Sequence, residues 1–137
     1  MKQVGKSPLS LVAQDHALNP RNNGVLSTYN GHARITGPCG DTMEAWILVH
    51  HNIIEAITCE TDGCCSSHAC GSMMTCLAEG ASLSFAMRIS QQDILDALEG
   101  LPVEIQHCAL LAANTLAEAC QDYLQNNPCH PALSPGE

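Results

Sequence analysis

The sequence predicts an α+β domain in which a small three-stranded antiparallel sheet carries helices packed on one of its faces. Three observations carry this expectation. An early segment has helical spacing and is stopped by an Asn-Pro pair; the residues from His32 to Cys59 become β-like in three short runs; and apolar residues at helical spacing take over after Gly63. A helix, then antiparallel strands, then helices is the order of an α+β fold.

The leading helix falls in SPLSLVAQDHALNP, where Leu9, Val12, Ala13 and His16 share a face and Asn19-Pro20 ends it. The strand runs are ARIT, EAWILVH and IIEAITC, with His51-Asn52 where a tight turn joins the last two. Between the first two runs stands Gly37-Pro38-Cys39-Gly40-Asp41, whose two glycines and proline around one cysteine indicate a bent, exposed loop. After Thr61-Asp62-Gly63 a helix runs through SSHACGSMMTCLAEG and stops at Gly80, a good C-terminal cap. A further helix begins at Ser90, where S-Q-Q-D has the form of a capping box, and ends at Gly100. The last helix follows Leu101-Pro102 and shows a stripe of Ala109, Ala112, Ala113, Leu116, Cys120 and Leu124. Residues 1–127 read as a single domain, and the proline-rich segment 128–137 reads as a flexible tail.

Composition narrows the function. A chain of 137 residues with 45% hydrophobic and 14% charged residues can bury a real core, which excludes a disordered chain. Its net charge of -9 repels phosphate backbones, and its four aromatic residues offer few stacking platforms, so nucleic acid is not an expected partner. No apolar run is long enough for a signal peptide or a membrane span, so a soluble cytoplasmic protein with no membrane partner is expected. Nothing resembles a general acid-base pair, a nucleophile triad or a phosphate loop, and the chain is not expected to be an enzyme.

The nine cysteines are the strongest single signal. Their number is odd and no export signal accompanies them, which favours reduced thiols serving metal chemistry over a disulfide framework. Three sit where the backbone changes state: Cys39 in the Gly-Pro loop, Cys64 just before a helix, and Cys108 near the start of the last helix. The partial positive charge and unsatisfied amides of a helix N-terminus favour the thiolate, the form that binds metal. Their separations are too long for a zinc knuckle, and the absence of C-x-x-C argues against a thioredoxin-like or ribbon-type site. Cys70 and Cys120 lie on apolar helical lines and read as core, with Cys59, Cys76 and Cys129 structural or incidental. Met43, Met73 and Met74 read as packing residues, and His50, His51 and His130 as surface. His68, four residues after Cys64, is a weaker candidate for facing the site.

Four stretches carry a resemblance. HALNPRNNG at 16–24, GPCGDTM at 37–43, TDGCCSSHACGSMM at 61–74 and LPVEIQHCALLAANTL at 101–116, in this order, resemble the IscU/NifU family of iron-sulfur scaffold proteins from His16 to about Leu124. The resemblance implies a SufE/NifU-like fold and an assembly site of Cys39, Asp41, Cys64 and Cys108, with His107 alongside. It also implies an iron-sulfur cluster, of 2Fe-2S type, with zinc as an alternative occupant of the resting protein. Thiolates are the soft ligands that hold iron in clusters, whereas a carboxylate is harder and more exchangeable, so Asp41 should keep the cluster labile. His107 can be read as a ligand, as a proton acceptor for Cys108, or as a satisfied polar residue at a helix start. Cys65 stands where the family more usually has glycine, and reads either as a spare ligand or as a neighbour pointing away.

The implied partners are a cysteine desulfurase that delivers sulfur and apo iron-sulfur proteins that receive the cluster, with a homodimer bridged by the cluster among the open arrangements. The family's chaperone segment is Leu-Pro-Pro-Val-Lys, but here the chain reads Leu101-Pro102-Val103-Glu104-Ile105, which argues against chaperone dependence. A SufU-like zinc-bound sulfur acceptor is the competing reading within the family; His107 and the short span from Glu79 to Leu101 argue against it. A stable electron carrier and a purely structural zinc domain are the remaining alternatives, and neither accounts for Asp41 as well.

Overall fold

A computed structural model of the chain describes residues 9–126. The expected tail, with Cys129 and His130, lies outside them. Helix α1 (Leu11–Leu18) opens the fold, capped by the Ser10 hydroxyl, which accepts the Ala13 amide. Strands β1 (Gly31–Thr36), β2 (Thr42–His50) and β3 (Ile53–Thr61) form an antiparallel sheet in the order β1-β2-β3. His51 and Asn52 both take positive φ, 54° and 66°, as a two-residue hairpin turn of matching twist requires, so the tight turn stands where it is expected.

Alternation along the strands decides which face is covered. Ala33, Met43, Ala45, Ile47, Ile57 and Cys59 are buried on one side, in a register that pairs Ala33 with Ala45 and Ala45 with Cys59. The other side carries His32, Arg34, Glu44 and Glu60, with Trp46 buried under the His32 ring. Two long helices cover the apolar face. These are α2 (Cys65–Ala78), against β3, and α5 (His107–Asn126), across β1 and β2. Small residues allow α5 to come close, and Gly31 marks the closest approach: a Cβ there would stand 2.7 Å from the Ala119 carbonyl oxygen.

Short elements link α2 to α5. Ser90 and Asp93 complete the expected capping box of α4 (Gln91–Ala97), and Gly100 at φ 91° ends that segment. The sequence expectation omits α3 (Leu83–Met87), a five-residue helix whose buried Leu83 and Ala86 pack into the core; one and a half turns are too short for a periodic pattern to stand out. Ser82, its cap, also bridges to Ile53 at the start of β3. Among the described residues no helix is long and apolar enough to cross a membrane.

Candidate metal-binding site

The site lies where the β1-β2 loop, the start of α2 and the start of α5 converge. The loop from Gly37 to Asp41 closes on itself, the Gly37 amide donating to the Asp41 carbonyl at 2.8 Å and the Gly40 amide to the Gly37 carbonyl at 3.0 Å. Gly40 takes φ 96°, a conformation other residues enter only with strain. The tip so formed presents Cys39 to solvent. The loop's second arm is fastened to the end of β3. The Thr42 amide donates to Asp62 Oδ1 at 2.8 Å, and the Thr61 hydroxyl donates to the Thr42 carbonyl at 2.7 Å. These bonds bring Asp41 beside the segment that leads into α2.

Cys64 is the N-cap of α2, in extended conformation. Cys108 is the second residue of α5 and is buried, where α5 crosses the first turn of α2. Ligand atoms of Asp41, Cys64 and Cys108 all lie within 4.8 Å of one another. Two serines fill the space between them. Ser66 Oγ is 2.8 Å from Cys64 Sγ and 3.4 Å from Cys108 Sγ. The Ser67 hydroxyl donates to Asp41 Oδ2 at 2.8 Å and stands 3.5 Å from Cys108 Sγ.

The two thiols differ electrostatically. Partial burial pushes Cys64 up, but the Ser66 hydroxyl and the first-turn amides of Ser67 and Ser66 outweigh it and hold the thiol below its ordinary value. Burial dominates at Cys108 and raises it, against the Ser66 and Ser67 hydroxyls, with the charges of Cys64 and Asp41 adding to the rise. An exposed, acidic thiol thus faces a buried, reluctant one across a serine hydroxyl. The donor set of two sulfurs and one carboxylate oxygen fits iron or zinc and is a poor match for hard cations such as calcium, which take oxygen ligands.

Not every expected residue joins this group. Cys39 remains on the loop tip, lining an apolar cavity of about 160 Å³ with His107, Pro38, Leu110 and Leu111. His107 is the first residue of α5, its Nε2 3.7 Å from Cys108 Sγ, between the cavity and the three-ligand group. Cys65, the first residue of α2, is exposed and outside the group. His68 turns to a polar cavity of about 380 Å³ lined by Thr42, Glu44, Glu60 and Asp62, away from the cysteines. Cys59, Cys70 and Cys120 are core residues: burial pushes Cys59 and Cys120 up to about 12, and drives Cys70 well above the ordinary thiol range. Cys76 is exposed. Met43, Met73 and Met74 are buried packing residues, and His50 and His51 are exposed. Sequence reasoning missed Ser66 and Ser67. The signal was present, because two hydroxyl residues at the second and third positions of a helix can reach back to a ligand at its N-cap.

Three comparisons bear on this geometry. The family described as NifU-like N terminal domain matches residues 10–130. The iron-sulfur cluster assembly scaffold protein IscU 1 of Archaeoglobus fulgidus is 40% identical over 114 residues, which cover 82% of this chain and 74% of the relative. IscU of Escherichia coli K12, of the same description, is 39% identical, covering 80% of this chain and 88% of the relative. Among solved structures, the N-terminal part of a nitrogen-fixing NifU-like protein from Brucella abortus superposes with a TM-score of 0.68 at 17% identity, over 85% of this chain and 94% of that one, a likeness of fold.

Proposed function

The chain belongs to the family of NifU-like N-terminal domains, and on that premise we propose that it is a scaffold on which an iron-sulfur cluster is assembled and from which it is passed on. The observation that carries this reading is the set of three ligand atoms, two soft and one hard, supplied by three separate elements within 4.8 Å. Iron and sulfur are the cargo. Cys64 and Cys108 hold iron through sulfur, Asp41 holds it through a more exchangeable oxygen, and Cys39 supplies a further thiolate from the exposed loop tip. His107 stands next to Cys108 and competes with Asp41 for the fourth position. The cluster is of 2Fe-2S type, and zinc occupies the same ligands when iron and sulfur are withheld. Sulfur comes from a cysteine desulfurase and the finished cluster goes to apo iron-sulfur proteins, so the chain itself turns over no substrate.

Anaerobic reconstitution with iron, cysteine and a desulfurase tests this, followed by optical spectra, iron and sulfide counting and addition of an apo-ferredoxin. The expected result is a cluster that forms on the protein and moves to the ferredoxin. Retention of zinc alone, with sulfur accepted but no cluster built, would favour the zinc-bound sulfur acceptor; a cluster that cycles reversibly and never transfers would favour an electron carrier.

A further inference from the structure

Resting on that reading, we propose that Ser67 and Ser66 are positioning residues of the site: Ser67 holds the Asp41 carboxylate in place as a ligand, and Ser66 ties Cys64 to Cys108. Both side chains are buried, Ser66 at 3% and Ser67 at 0% exposure, so each hydroxyl must find a partner inside the protein. A serine in the first turn of a helix ordinarily satisfies itself on nearby backbone. Here both hydroxyls turn instead to ligand atoms, Ser67 to Asp41 on the loop and Ser66 to Cys64 at the N-cap and to Cys108 on α5.

The single proton of Ser67 goes to Asp41 Oδ2, since the carboxylate can only accept. This fixes one oxygen and leaves the other to a metal. Gly63 makes the contact possible: a Cβ at that position would stand 2.5 Å from Ser67 Oγ and 2.6 Å from Asp41 Oδ2, inside the space the pair occupies. Asp41 thus has its donor on α2 and its clearance from the residue preceding Cys64, an arrangement that would be unnecessary for a merely solvated loop carboxylate. Outer partners of metal ligands set ligand orientation, and removing one typically costs about 10- to 100-fold in metal affinity.

Cobalt(II) titration of the metal-free full chain under anaerobic conditions tests the proposal, read by the thiolate-to-cobalt absorption and the fitted affinity. Ser67→Ala is expected to weaken binding about 10- to 100-fold while the far-UV circular dichroism stays that of the parent. If Ser67 acts through Asp41, the pair Asp41→Ala/Ser67→Ala binds no more weakly than Asp41→Ala alone. Ser66→Ala acts through sulfur, so its loss multiplies with that of Asp41→Ala and the thiolate absorption changes. Gly63→Ala forces the Asp41-Ser67 pair apart without substituting either residue and should reproduce the Ser67→Ala loss even if Ser67→Ala itself folds poorly. Unchanged affinity in Ser67→Ala, or losses from Asp41 and Ser67 that multiply, would overturn the positioning role. A parent protein that binds cobalt without thiolate absorption would overturn the site itself, a distinct failure.

Discussion

Acid should loosen the packing of α1 on α2 through one residue, His16. Its ring is buried, with Nδ1 2.7 Å from the Ser72 hydroxyl, and Ser72 also accepts the Arg21 amide at 2.8 Å. Burial lowers the imidazole from its ordinary value of 6.5; the nearby Arg21 charge lowers it further, and Asp15 opposes. The unfolded chain therefore takes up a proton near pH 6.5 that the folded one refuses, and stability present above that pH is lost as the pH falls toward the lower folded value. One proton limits the slope to about 1.4 kcal/mol per pH unit. At pH 7.5, His16→Gln should cost about 1 kcal/mol, the worth of the hydrogen bond to Ser72. Between pH 7.5 and 5 the gap should shrink, close and then reverse, by no more than about 1.4 kcal/mol per pH unit below pH 6.5, because the variant lacks the proton linkage. Urea denaturation of both proteins across that range measures it, and the pairwise comparison cancels the other histidines. A gap that stays constant or widens toward acid would refute the reasoning.

Three further outcomes follow from the site. Asp41→Ala should hold a reconstituted cluster longer if His107, the competitor for the fourth position, takes the vacated place, slowing transfer to apo-ferredoxin by about tenfold for a release barrier higher by about 1.4 kcal/mol; equal half-times would count against Asp41 as the labile ligand. Cys65→Ser should leave cobalt affinity and cluster yield within about twofold of the parent, because Cys65 is exposed and outside the ligand group; loss of the cluster would make it a ligand. Addition of a dedicated chaperone pair with ATP should speed transfer little, since Leu101 is followed by a single proline, with Glu104 and Ile105 in a short 3-10 turn; strong ATP-dependent acceleration would show the opposite.

The α+β order and most of the helix boundaries were legible because local chemistry sets them. Ser90 with Asp93, and Gly80 at φ 79°, are caps that act within a few residues of themselves. Cys64 was legible for the same reason, as the residue before a helix. Convergence was not. That Cys108 and Asp41 both lie against the first turn of α2, within reach of Ser66 and Ser67, depends on how α5 and the β1-β2 loop dock there, which no spacing in the sequence expresses. His68 shows the converse. Four residues after Cys64 it could share a helical face with it, yet it lines the polar cavity with Thr42, Glu44, Glu60 and Asp62.

The asymmetry of the ligand group has a physical meaning for release. Cys64 and Cys108 sit at the starts of two long helices that pack on each other and on the sheet, Cys108 inside the core and Cys64 at an exposed N-cap anchored to α2. Asp41 is held by side-chain bonds at the edge of a hairpin loop, and Cys39 stands on its exposed tip. A ligand on a helix in the core leaves its metal only at the expense of packing, whereas one on a loop tip leaves at the expense of a few hydrogen bonds. A stable cluster carrier gains from four ligands of the first kind. On the proposed reading, with Cys39 joining Asp41 as a ligand, two thiolates on the helices and two ligands from one loop would give a site that opens on the loop side, where an acceptor would meet the more mobile pair first.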